Sequence, residues 1–285
     1  MRDYFCGWYF KCQSGNQTLA LIPASHRADG RRFNSMQIIT ESISRTIFFP
    51  YDALKREPNG FSIADCYFGH DGIILHVNEE GISACGKIVF GPFSRIRYDI
   101  MGPFQYVPFM ECRHSIKSMS HTLIGEVTLN GQSYKLGGGK GYIEGDRGRS
   151  FPSRYLWTHT FFDGGSLMLS IADIPLGVLN FTGIIGLIHY RGREYRIATY
   201  LGAKAAHLAD GEALVRQGAY ELSARLIERH PLPLSAPRSG DMSRTIHESA
   251  SCVAEYAFSI NKKPLFSFKT DRASFESEMS NIEPF

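Results

Sequence analysis

His121-Thr122-Leu123-Ile124-Gly125-Glu126-Val127-Thr128-Leu129 runs into Asn130-Gly131 and returns as Gln132-Ser133-Tyr134-Lys135-Leu136. Apolar and polar side chains alternate on both sides of the pair, which is the period of an extended strand with one covered face. Asn-Gly accepts the positive φ angles of a two-residue hairpin turn, so the stretch predicts two antiparallel strands.

The same period extends in both directions. Gln17 to Pro23, Ser35 to Thr40, Gly72 to Val77 and Gly86 to Phe90 read as strands. Beyond the hairpin, so do Ser166 to Ile171, Leu179 to Tyr190 and Glu194 to Gly202, with Arg191-Gly192-Arg193 as a turn between the last two. Gly218 to Glu228 alternates Tyr220, Leu222, Ala224 and Leu226 with Glu221, Ser223 and Arg225, so it is read as a strand, with Asp210-Gly211 as a hairpin signal before it. Helix signals are few: one turn at Pro50 to Lys55, and a terminal helix from Asp271, a good N-cap residue, to about Met279. His230 to Asp241 reads as a long loop. Many short strands with Gly-rich turns predict an all-β sandwich or barrel.

A spaced similarity joins the two halves. Trp8 and Trp157 are 149 residues apart, while Leu19 and Leu167, and Phe33 and Phe181, are each 148 apart. Repetition near half the chain length predicts duplicated β units.

The 285 residues are 43% hydrophobic, enough for a sizeable core and against disorder. A net charge of +3 and no Lys/Arg run longer than two argue against nucleic acid as a partner. Met1 to Phe5 has no leader pattern, and no apolar run reaches the ~18 residues of a membrane helix. The longest, Leu176 to Tyr190, contains Asn180 and Thr182. The six cysteines form no CxxC pair and fit no zinc template, so the expectation is reduced thiols in a cytoplasmic protein. Gly137-Gly138-Gly139-Lys140 lacks the Ser or Thr and the helix of a phosphate-binding loop. There is no GxSxG elbow and no HExxH. No cofactor and no metal is expected.

The densest chemistry lies between Gly137 and Trp157. Gly141-Tyr142-Ile143-Glu144, Gly148-x-Ser150-Phe151-Pro152 and Trp157 resemble the central signature of the tocopherol cyclase family. Gly7-Trp8-Tyr9-Phe10-Lys11 and Gly102-Pro103-Phe104 resemble it too, and the similarity covers roughly residues 5 to 260. The chain departs from the family at Gly145, where the family has Lys, and at Arg147, where it has Trp. The resemblance implies two lipocalin-like antiparallel β-barrel or sandwich halves in tandem, with few short helices, here divided as 1–135 and 136–285. It also implies a prenyl-type ligand held in an apolar barrel pocket.

A cyclase of this kind protonates an alkene and closes a ring on a phenol oxygen. That needs a neutral acid, which burial favours, and aromatic faces for the cation. Glu144, Asp146 and Asp173 are the acid candidates; Asp173 lies in an otherwise apolar segment. Trp8, Tyr142, Arg147, Tyr155, Trp157, His247 and Glu248 are the substrate-binding candidates, Arg147 suiting an anionic or quinol head group. Structural readings stand beside each. Glu144 and Asp146 can pair with Arg147 and Arg149, Asp173 can accept turn hydrogen bonds, and the two Trp can be core. His247 and the Arg113-His114 pair stay open between the two. The alternative function is a non-catalytic binder of a lipid or isoprenoid. The expected partner is a hydrophobic small molecule, with no integral membrane segment and peripheral membrane contact left open.

Overall fold

The computed structural model describes residues 3–108, 110–176 and 179–279. Met1 and Arg2 of the opening, and Gly177 and Val178 of the longest apolar run, lie outside them. The chain divides into two compact units, Met1–Arg97 with Met110–Phe151 and Leu234–Thr245, and Tyr98–Phe109 with Pro152–Pro233 and Ile246–Phe285.

The first unit holds an antiparallel sheet of 12 strands among the described residues. They are β1 (Tyr4–Ser14), β2 (Gln17–Ala28), β3 (Arg31–Ile39), β4 (Ser44–Pro50), β5 (Leu54–Glu57) and β6 (Gly60–Ile63). Then follow β7 (Cys66–Gly69), β8 (Gly72–Glu79), β9 (Ile82–Phe90), β10 (Cys112–Leu129), β11 (Gln132–Lys135) and β12 (Lys140–Gly148). The order is β4-β3-β2-β1-β12-β10-β9-β8-β7-β6-β5, with β11 on β10. Five steps separate β1 from β7, yet the rings of Phe10 and Phe68 lie 5.5 Å apart. The sheet therefore rolls over on itself and closes around one core, which includes Leu19, Met36, Ile73, Ile88, Leu123 and Ile143.

Glycines permit the roll. Gly125 has φ of 123°, and a Cβ there would lie 2.1 Å from the Lys87 carbonyl oxygen; at Gly86, φ is 152° and the Glu126 oxygen would lie at 2.4 Å. Strands this tightly coiled leave no room for a side chain.

The second unit repeats the plan with β13 (Tyr155–Phe162), β14 (Gly165–Leu176), β15 (Leu179–Tyr190), β16 (Arg193–Ala198), β17 (Lys204–Ala209), β18 (Glu212–Gln217) and β19 (Tyr220–Glu228). Its sheet also includes β20 (Leu232–Arg238), most of which counts with the first unit, β21 (Asp241–Ile260), whose residues from Ile246 count with the second, and β22 (Lys263–Ser277). The order is β16-β15-β14-β13-β22-β21-β19-β18-β17, with β20 on β21. Five steps again separate β16 from β21, and again aromatic rings meet, Tyr195 and Phe258 at 5.4 Å. Gln217 of β18 accepts from the Ala198 N–H and donates to the Arg196 carbonyl, tying the two sheet ends together. The matching starts of β2 and β14 (17, 165) and of β3 and β15 (31, 179) keep the 148-residue spacing.

The all-β, two-sheet expectation holds, as do the hairpins at Asn130-Gly131, Arg191-Gly192 and Asp210-Gly211. Three expectations are corrected and one short turn is borne out. The terminal helix from Asp271 is part of β22, because Ala273 and Phe275 continue its pairing with β21. The single turn expected at Pro50 to Lys55 is present as a 3-10 turn, Tyr51–Ala53, that joins opposite sheet edges. The long loop His230 to Asp241 contains β20. A boundary after residue 135 would cut the first unit, because β12 inserts between β1 and β10 and supplies the sheet's centre.

Candidate active site

β12 carries the site. Both of its faces are buried from Gly141 to Gly145. Alternation sends Ile143 into the core with its partner Phe10. It sends Tyr142, Glu144 and Asp146 to the opposite face. β1 presents Lys11 beside Tyr142 and Tyr9 beside Glu144; β10 presents Ile116 beside Glu144 and His114 beside Asp146. A bulge between Ile116 and Ser118 ends that register, as bulges do where a side chain must be aimed. Glu144 and Asp146 therefore face away from the interior core. The strand's parity gives the interior to Gly141, Ile143 and Gly145, and a shift of one residue would have inverted it.

The cluster is tight. The Tyr142 hydroxyl donates to Glu144 Oε2 at 2.5 Å. His114 Nδ1 lies 3.0 Å from Asp146 Oδ1, and Nε2 lies 3.2 Å from Glu144 Oε2. The first is a hydrogen bond; the second is an ionic contact without the alignment a hydrogen bond needs. The Cys112 thiol donates to Asp146 Oδ1 at 3.5 Å. Glu144 is buried and Lys11 and Tyr142 are fully so.

Burial alone would push the His114 imidazolium below its ordinary pKa, but the charges of Asp146 and then Glu144 outweigh it and hold the ring well above that range. Desolvation, then Glu144, holds the Tyr142 phenol well above its usual value, so it remains a donor. Desolvation and Asp146 do the same to the Cys112 thiol, which rules it out as a thiolate nucleophile. The arrangement is a protonated imidazole between two carboxylates, with a phenol donating to one of them. His114, Glu144 and Asp146 also bring a ligand atom each within 4.8 Å of one another, the spacing of a cation site.

Several solved structures share this fold. One is described as a putative AttH from Nitrosomonas europaea, at 9% identity, covering 98% of this chain and 93% of that one, with a TM-score of 0.54. Kievitone hydratase from Nectria haematococca is also 9% identical, with 98% and 89% covered and a TM-score of 0.55. CghA with Sch210972 is 9% identical over 97% and 89%, with a TM-score of 0.63. At such identity the likeness concerns the fold. No protein-family profile and no curated protein sequence matches the chain.

The other sequence candidates fall elsewhere. Asp173, expected to be buried among apolar residues, is a quarter exposed, ion-paired with Arg154 at 3.0 Å and hydrogen-bonded by Thr182. Arg154 and Thr182 meet its carboxylate, so burial never isolates it. Trp8 packs against the interior core on the face opposite Glu144, and a Cβ at Gly145 would lie 2.3 Å from its ring. Arg147 is exposed and shares the parity of Gly145, so it does not pair with either carboxylate.

Tyr155, Trp157 and Glu248 gather in the second unit around Glu276. The Tyr155 hydroxyl donates to Glu276 Oε2 at 2.7 Å, and Trp157 and Glu248 are its register partners. Glu276 and Glu278 lie 132 residues beyond Glu144 and Asp146 and are buried like Glu144. Glu248 stands against Glu276 as Ile116 stands against Glu144. His247 is exposed, and its backbone N–H donates to Glu278. His114 is the member of the first cluster that the sequence left undecided; no spacing in the chain announces that it meets β12, 30 residues on.

Proposed function

We propose that this protein is an acid–base enzyme that cyclises a prenylated hydroquinone or a related isoprenoid, with Glu144 as the proton-transferring group. One observation carries the reading. Glu144 is a buried carboxylate whose Oε2 meets both a phenol donor and an imidazolium. Such an assembly holds one transferable proton in a site shielded from water.

The step balances. The proton of the His114–Glu144 pair passes through the carboxyl to one alkene carbon, leaving a tertiary cation on the other. A phenol oxygen of the same molecule adds to that carbon, forming the C–O bond. Its proton returns to the pair, so the product is an isomer of the substrate. Tyr9 and Tyr142 supply π faces near the cation, a contribution of about 0.5–2 kcal/mol each. Asp146 keeps the imidazole oriented through Nδ1. The resemblance of Gly141 to Pro152 to tocopherol cyclases supports the substrate class, and a hydratase among the similar folds supports alkene protonation in general. Water reaching the same cation would give a hydrate.

The test is incubation of the purified chain with a prenylated hydroquinone, read by mass spectrometry. An isomer of unchanged mass supports cyclisation. Bound but unaltered ligand supports the carrier reading instead. Glu144→Gln is expected to lower turnover at least 100-fold. Undiminished turnover in that variant would remove Glu144 from the role.

A further inference from the structure

We propose that the open end of the first unit's rolled sheet binds a small phosphate-bearing anion, of diphosphate type, between Arg27, Arg32, Arg113 and Arg147. The site lies on the inward face of the sheet, opposite to that of His114 and Glu144, and does not rest on the proposed reaction.

Strand register brings the four arginines together. Arg32 stands directly opposite Arg27, and Arg27 opposite Tyr4. Arg113 stands opposite Arg147, and Arg147 opposite Cys6. Directly paired residues share a face, so all four side chains leave the sheet on the side of Trp8, Phe10 and Leu21. Along β1 that side passes from Tyr4, 40% exposed, through half-buried Cys6 and Trp8 to Phe10, 4% exposed. Arg27 and Arg113 are half-buried, and Arg32 and Arg147 are exposed. The cations therefore ring the wet end of an otherwise apolar interior.

Their charges converge. Burial and the Cys6 thiol raise the pKa of the Tyr4 phenol, while Arg147, Arg113 and Arg27 pull it back, so three guanidiniums reach one hydroxyl. Like charges set opposite each other on neighbouring strands repel, and Arg27–Arg32 and Arg113–Arg147 are both such pairs. Among the described residues no carboxylate is ion-paired with Arg27 or Arg147, and the buried Arg27 Nε has no hydrogen-bond partner. An anion answers both conditions. Guanidinium forks match phosphate oxygens two at a time, and four of them suit the several charges of a diphosphate better than the one of a carboxylate. Apolar walls behind a ring of one sign focus its field on a small ion. The inward, concave position favours a molecule from solution over a flat lipid surface, and Trp8 below the ring offers an apolar floor for its organic part.

The full chain is titrated with inorganic diphosphate by calorimetry at low ionic strength. One site per chain is expected, weakening as salt is raised. Arg147→Gln and Arg32→Gln, both at exposed side chains, should each weaken binding about 10-fold, while Arg225→Gln, at an exposed ion pair with Glu255 in the second unit, should leave it unchanged. Phosphatidic-acid vesicles separate the lipid source: retention on them without affinity for diphosphate in solution would overturn the proposal. So would the absence of saturable binding, equal competition by acetate at matched ionic strength, or binding undiminished in the folded arginine variants. If one of the two variants does not fold, the other decides it.

Discussion

At the residue scale the chain is least tolerant where a small side chain makes room for a large one. Gly145→Ala would drive a methyl into the Trp8 ring. It is expected to cost about 1–3 kcal/mol, measured as a lower denaturant midpoint at unchanged slope. Tyr142→Phe removes the donor to a buried carboxylate and is expected to cost about 1.5–3 kcal/mol in the same measurement. Glu144, Asp146 and Tyr142 were legible in the sequence because they crowd one glycine-rich segment. His114 was not, because its role depends on a cross-strand register that no local pattern encodes. Asp173 misled for the opposite reason: apolar neighbours in sequence do not guarantee an apolar surrounding when a strand end meets Arg154.

At the scale of the element, alternation and turn chemistry carried most of the information. Asn130 and Gly131 adopt φ of 46° and 81°, the geometry their identities favour. The terminal strand escaped because Asp271 is a good helix cap only when no neighbouring strand offers better pairing, and β21 does. Which face of β12 turns inward was equally hidden, since both faces are buried and both parities look plausible in sequence. Gly125→Ala tests the glycine roll. Its φ of 123° and the nearby Lys87 carbonyl predict a loss of about 1–3 kcal/mol, seen as a lowered melting temperature.

At the scale of the whole molecule, two buried histidines set the response to acid. Burial pushes the imidazolium of His26 and that of His121 down to about 4 from the ordinary ~6.5. Folding therefore excludes their protons, and their contribution is complete above pH ~6.5 and lost progressively as pH falls toward about 4. The shifts correspond to about 3 kcal/mol each at the acid end. His121→Gln, which keeps a partner for Ser118, should flatten the acid limb of a stability-versus-pH curve. The strand order has a further consequence. In each unit the first strand pairs with the last, β1 with β12 and β13 with β22. A nascent chain leaving the ribosome therefore holds an unfinished second sheet until its final strand has emerged. A premature stop before Lys263 would leave β13 and β21 with nothing between them, and the released polypeptide would be a substrate for chaperones and proteases rather than a shortened folded protein.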